Sequence, residues 1–237
     1  MASVIRFYDP DVVGVQEALS GMLDDLDAHL PDYDWVGTGR NAGADEHCAL
    51  FFHTGRIALS QHGTFWLSET PAEPGSRSWG AAYPRIATWA RLNGPDDAPS
   101  PYVFNTHFDH QSARARRESA RFLRARIDTV AGSAPVALVG DLNTTPDTAP
   151  YRLLTEPTGD APPLRDALPN AALPHHGPVA TYNGFDGAVH PNGRIDYGFV
   201  RGPFAVRRHG TLTARWDSHF PSDHCPVLAE LHLHEDA

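Results

Sequence analysis

The chain has 237 residues, 41% hydrophobic and 20% charged, which groups it with ordinary globular proteins and excludes intrinsic disorder. All 19 basic residues are arginine, and the formal net charge of −10 argues against avid nonspecific binding to long DNA, which needs a broad basic surface. A local basic groove or a small phosphorylated substrate is compatible with that charge. No apolar run approaches the roughly 20 residues of a membrane-spanning helix, and MASVIRFYDP lacks the basic and apolar regions of a signal peptide, so a cytoplasmic protein is expected.

In chain order, β-branched and aromatic runs bounded by Pro, Gly and Asp predict strands at 12–16, 49–52, 102–107, 136–141, 194–200 and 227–233. Leu19, Leu23 and Leu26 recur at helical spacing and predict a helix over 17–29. A second helix is predicted over 111–131, where Ala120, Leu123, Ile127 and Val130 form the apolar stripe. Arg114, Arg117, Arg121 and Arg124 form its other stripe, read as a solvated face, with phosphate contact as the alternative. Residues 70–101 and 156–193 are rich in Pro and Gly and are expected to be long surface loops. Helices are too few to cover every crossover, so two sheets packed together and flanked by helices are favoured. No repeat or linker divides the chain, and a single domain over 1–237 is expected. Cys48 and Cys225 make no disulfide framework and read as small buried residues.

The informative feature is what ends these strands. VALVGD stops at Asp141 and is followed by Asn143, and i, i+2 spacing puts two strand residues on one face. Taken alone, the pair reads as ordinary turn formers. Four more clusters sit at strand ends: Gln16–Glu17, NTHFDH (105–110), Arg194–Ile195–Asp196 and Ser222–Asp223–His224. Each alone is a cap or turn signal, but the ordered set spans most of the chain.

In these residues the chain resembles the endonuclease/exonuclease/phosphatase superfamily. The motifs are DPDVVGVQEAL, ADEHCALFF, TFWLSETP, YPRIATWARL, NTHFDHQSARARRESA, VGDLNTTP, GRIDYGFV and SDHCPVLAEL, from Asp9 to Leu231. The resemblance implies an α/β, four-layered α/β/β/α sandwich of the DNase I-like kind, and a metal-dependent phosphoesterase using Mg²⁺ or Mn²⁺. It implies Glu17 as principal metal ligand with Asp223 nearby. Asp141 would orient or deprotonate the attacking water, or hold a second metal, and Asn143 would donate to a phosphoryl oxygen. His107 and His224 would contact the phosphate, held by Glu46 and Asp196 respectively, a pairing that favours the imidazolium. A hard cation with carboxylate ligands suits the task, because the attacked phosphoryl group is anionic and repels nucleophiles.

Candidate substrate contacts are Arg40, Arg85, Arg91, Asn183 and Phe185, since Arg suits phosphate and aromatics stack bases. Trp66, Trp79 and Trp89 read as packing residues. The expected partner is a phosphoester, with nucleic acid or a nucleotide among the options, and the protein is expected to be a monomer that inserts in no membrane. The family pattern opens with a strand ending in an Asn, and no residue in 1–8 supplies one, so weaker metal affinity and lower stability are expected than for an upstream-extended version. Two other readings compete. THFDH (His107, Asp109, His110) resembles part of a zinc hydrolase signature, and the missing first strand leaves room for a catalytically impaired binding module.

Overall fold

The computed structural model describes residues 1–94, 100–157, 162–186, 188–190 and 193–234. Its first sheet holds β1 (Val12–Ala18), β2 (Tyr33–Val36), β3 (Gly39–Asn41) and β4 (Ala44–His53), with β4 central. Its second is a six-stranded sheet of β5 (Ala58–Trp66), β6 (Ile86–Asn93), β7 (Tyr102–His107), β8 (Val136–Asp141), β9 (Arg165–Asp166) and β10 (Asp196–Arg201), in the order β5-β6-β7-β8-β10-β9. A hairpin of β11 (Phe204–Thr211) and β12 (Val227–Leu233) completes the β structure. The helices are α1 (Ala2–Tyr8), α2 (Ser20–His29), α3 (Ala113–Ala131) and α4 (Ala149–Thr155).

Alternation along the strands explains the layering. Val36, Leu50 and Phe52 of the first sheet meet Ala90, Leu92, Val103 and Ala137 of the second in the central core. The odd-numbered partners on β4, Ala49 and Phe51, instead face Leu23 and Leu26 of α2. On the far side, Phe104, Leu138 and Phe199 pack against Leu123 and Ile127 of α3 and Leu154 of α4. The result is helix, sheet, sheet, helix, a mixed α/β fold with few helices. Gly14 shows how close the sheets come, since a Cβ there would lie 2.5 Å from Val139.

Several elements differ from the sequence expectation. The helix predicted from residue 17 begins at Ser20, because Glu17 belongs to β1 and adopts φ 57°, outside the helical region. Strand β6 lies within the stretch expected to be a loop; the Pro and Gly on both sides masked an eight-residue run whose Ile86, Ala87 and Thr88 are all buried. Trp66 and Trp89 are packing residues as read, Trp66 with Cys48 and Ile86, Trp89 against the α3-side core. Both cysteines are buried and unpaired.

The solvated arginine stripe is correct for Arg114, Arg117 and Arg121 and wrong for Arg124. That side chain is 5% exposed and donates to the carbonyls of Leu153, Leu154, Glu156 and Pro162, satisfying the C-terminal carbonyls of α4. Residues 2–8, where no metal-binding Asn was found, form a helix with Ile5 in the α2-side core. Among the described residues, β1 pairs only with β4 and β12 only with β11, so each keeps one unpaired edge. No helix among them is long and apolar enough to cross a membrane.

Candidate active site

Three adjacent strands set the row on which the site is built. His107 ends β7, Asp141 ends β8 and Asp196 begins β10; Asp141 is the register partner of both others. Since β7 and β8 run parallel and β10 antiparallel, two strand ends and one strand start meet at one edge. All three side chains fall on the face turned toward the first sheet, in line with Val103 and Ala137. Gly140 permits the close approach of β8 to β7: it has φ 149°, and a Cβ there would sit 2.1 Å from the Thr106 carbonyl oxygen.

Glu17 reaches this row from the other sheet by a β-bulge. Pairing of β1 with β4 shifts between Val15–Ala49 and Ala18–His47, inserting one extra residue. Strict alternation would aim Glu17 the same way as Val13 and Val15, toward α2; the bulge turns it inward, leaving its carboxylate 3.9 Å from His107 Nδ1. The bulge is anchored by Asn105, which is fully buried between the sheets. Its amide donates to the Val15 carbonyl at 2.9 Å and the Ala49 carbonyl at 2.8 Å, and its oxygen accepts from Gln16 Nε2 at 2.6 Å. Asn105 was overlooked as a site residue in the sequence, though a polar residue inside the apolar run YVFNTH is the signal that could have found it.

Asp141 and Asn143 are joined by the turn their sequence suggested. Asp141 Oδ1 accepts from the Asn143 amide at 2.7 Å, with Asn143 at φ 47°. The Asn143 side-chain amide donates both to the Phe108 carbonyl, 3.1 Å, and to His107 Nε2, 2.9 Å. His107 Nε2 is therefore an acceptor and its proton sits on Nδ1, facing Glu17. Burial, then the charge of Arg85, push the His107 imidazole well below its usual pKa. Both influences oppose the imidazolium that the resemblance implies.

His224 behaves in the opposite way. It is presented just before β12 by a bridge to Tyr182, whose ring packs edge-on at 5.2 Å. Burial alone would lower its pKa, but a 2.7 Å hydrogen bond to Asp196 Oδ2 and the charges of Asp196, Asp141 and Asp223 raise it to about 9. Asp196 is itself held by Thr181, whose Oγ1 accepts from the amides of Ile195 and Asp196. Asp141 is driven up to about 7 by burial and by the neighbouring Asp196. The surroundings thus push the two imidazoles in opposite directions, down at His107 and up at His224, and raise Asp141 toward neutrality.

Two groups of side chains could hold a cation. Glu17, Glu46 and His107 offer ligand atoms within 4.8 Å of one another, and so do Asp141, Asp196 and His224. The residues fit a hard divalent ion: oxygen donors dominate, and a cation would offset both the burial and the neighbouring Asp196 charge that raise the Asp141 pKa. Asp223 belongs to neither group; its carbonyl accepts from the amides of Asn183 and Gly184. Glu46 does not hold His107 by a hydrogen bond but pairs with Arg40, Nη1 to Oε2 at 2.6 Å, because Arg40 lies opposite it on the adjoining strand β3.

The substrate-contact candidates separate by position. Arg40 is buried against Asp45, Glu46 and the Tyr83 ring. Arg91 pairs with Tyr102, at the end of β7 opposite His107, so the strand's length removes it from the site. Asn183 is fully buried and serves the architecture: its amide donates to the Ser222 carbonyl, and its Oδ1 accepts from the Phe185 amide. Phe185 is 65% exposed on the turn pinned to Asp223. Asp109 and His110, the other residues of the zinc-like THFDH pattern, do not join His107; Asp109 accepts from three backbone amides and His110 contacts Arg85.

The model of the Endonuclease/Exonuclease/phosphatase family matches residues 1–224. Among solved structures, an endonuclease/exonuclease/phosphatase family protein from Bacteroides thetaiotaomicron is 33% identical with TM-score 0.92, covering 99% of this chain and 88% of its own. A mannosyl-6-phosphatase from the same organism is also 33% identical, with TM-score 0.89 and coverage of 98% and 89%. The human Nocturnin catalytic domain, at 18% identity, TM-score 0.70 and coverage of 96% and 84%, shares the fold. No curated protein matches.

Proposed function

Since this chain belongs to the endonuclease/exonuclease/phosphatase family, whose members act on phosphoester bonds, we propose that it is a divalent-metal-dependent phosphoesterase in which water attacks phosphorus in line. The observation that carries this reading is the convergence of His107, Asp141, Asn143, Asp196 and His224 from separate strand ends, beside Glu17 and Glu46. Glu17 and Glu46 would hold the cation, with the carboxylates of Asp141 and Asp196 available to a second. Such an ion neutralises phosphoryl charge and lowers the pKa of water bound to it.

The protein's own groups do the rest. Asp141, titrating near neutrality, accepts a proton from the attacking water. His224 stays protonated through Asp196 and presents its remaining N–H to a phosphoryl oxygen, where charge grows in the transition state. Asn143 orients neutral His107 and fixes Asp141 through its backbone amide. Donation from Asn143 to the substrate would require release of its bond to His107 or Phe108.

The mannosyl-6-phosphatase likeness favours a small phosphorylated substrate such as a sugar phosphate, and the net charge of −10 disfavours duplex DNA. The test is turnover of mannose 6-phosphate, p-nitrophenyl phosphate, bis-p-nitrophenyl phosphate and single-stranded DNA with Mg²⁺ or Mn²⁺. Activity should vanish with chelator and fall by about 100-fold or more in His224→Ala. Absence of turnover with every divalent metal would overturn the reading and leave a binding module.

A further inference from the structure

Two guanidinium groups line the cavity beside Glu17 and His107, and they are not equivalent. Arg40 is answered by two carboxylates, with Nε 3.1 Å from Asp45 and Nη1 2.6 Å from Glu46, and it caps the Tyr83 ring. Arg85 is as deeply buried, 5% exposed, yet its Nε–H has no hydrogen-bond partner. Its Nη2 donates to His110 Nδ1 at 3.0 Å, a neutral acceptor. The nearest carboxylate, Asp109, lies 3.8 Å from Nε, beyond hydrogen-bonding reach, and its oxygens already accept from the amides of Ala82, Gln111 and Ser112.

A buried cation is ordinarily paired and hydrogen-bonded. Arg85 is only half so, and it faces a cavity shared with the candidate cation ligands. Its backbone carbonyl accepts from the Leu67 amide at 2.7 Å, and its acceptor His110 stacks on Tyr83 at 6.0 Å. An anionic oxygen in that cavity would complete the pairing of the guanidinium.

We propose that Arg85 selects phosphomonoesters over phosphodiesters by taking the additional anionic oxygen of a monoester. This rests on the reading of the site as a phosphoesterase. Near neutral pH a phosphomonoester carries close to two negative charges on three non-bridging oxygens, since its second pKa is about 6. A diester carries one charge on two such oxygens, and its second substituent would occupy the direction that Arg85 serves. The planar fork of Arg offers two parallel N–H donors to such a group, which a Lys cannot.

The experiment compares kcat/KM for p-nitrophenyl phosphate and bis-p-nitrophenyl phosphate in wild type, Arg85→Met and Arg85→Lys, and measures the melting temperature of metal-free protein with and without inorganic phosphate. The monoester-to-diester ratio should fall by about tenfold or more in Arg85→Met and by less in Arg85→Lys. Inorganic phosphate should raise the melting temperature of wild type and not of Arg85→Met. A preserved ratio, or equal loss on both esters with a lowered melting temperature, would assign Arg85 a structural role and overturn the proposal. Should Arg85→Met fail to fold, Arg85→Lys carries the comparison. A wild type inactive on both esters defeats the catalytic reading instead, and the phosphate-dependent melting shift alone then decides whether Arg85 binds the anion.

Discussion

His107 and His224 are the same residue type in one site, and their surroundings shift their pKa values in opposite directions. His107 is enclosed, accepts from Asn143 and faces Arg85, all of which disfavour a proton. His224 donates to Asp196 and feels two further carboxylates, which favour one. Removing that partner should show the difference: in Asp196→Asn the His224 pKa should drop from about 9 by roughly 1–3 units, read from imidazole NMR shifts against pH in metal-free protein. An unchanged titration would mean that Asp196 does not hold the proton there. The sequence placed both histidines at strand ends, but neither charge state was legible in it. Charge state follows from neighbours contributed by β3, β8, β10 and Arg85 just before β6, which no local pattern specifies.

At the scale of the element, the bulge in β1 is the device that brings a carboxylate from one sheet to the other. Its strength resides in Asn105, whose two amide donors and amide oxygen are spent on Val15, Ala49 and Gln16. In Asn105→Ala two buried carbonyls and the Gln16 amide lose their partner, so the chain should lose about 3 kcal/mol in urea denaturation. The divalent-cation concentration needed for the proposed reaction should rise as well, because Glu17 is no longer fixed; stability lost at an unaltered cation dependence would separate Glu17 from the proposed cation. The elements most readily read from sequence were those with an unbroken apolar or helical period, 102–107, 136–141 and 227–233 among them. Strand β6 was hidden because composition over a long window outweighed a short run within it. Arg124 was misplaced because periodicity assigns a helix face, whereas the carbonyls it satisfies come from α4 and beyond.

For the molecule as a whole, stability against acid should depend on a histidine outside the active site. His209 on β11 is 3% exposed, and burial, reinforced by His175, lowers its pKa to about 4. In the unfolded chain it takes a proton near its usual 6.5. Above that pH the folded state incurs no penalty from this group; as pH falls from 6.5 toward 4 the unfolded state binds the proton first and stability is lost, by up to about 3 kcal/mol. His209→Gln should flatten the stability profile across this window relative to wild type, measured by urea midpoints from pH 4 to 7, and an identical slope would exclude the group.

The sequence by itself determined the family resemblance, the layered α/β character and the identity of the strand-end residues Glu17, His107, Asp141, Asn143, Asp196 and His224. It could do so because strand ends are local: an apolar run stops where polar side chains emerge, and period-two alternation assigns their face. Only the tertiary structure decided how those ends meet. Register sets His107, Asp141 and Asp196 in one row, the bulge turns Glu17 into it, and burial fixes which groups carry charge. The same packing gave Glu46 to Arg40 and left Arg85 half-paired at the cavity. These outcomes depend on groups far apart in sequence competing for the same partner across small distances, and that competition exists only once the two sheets have closed on each other.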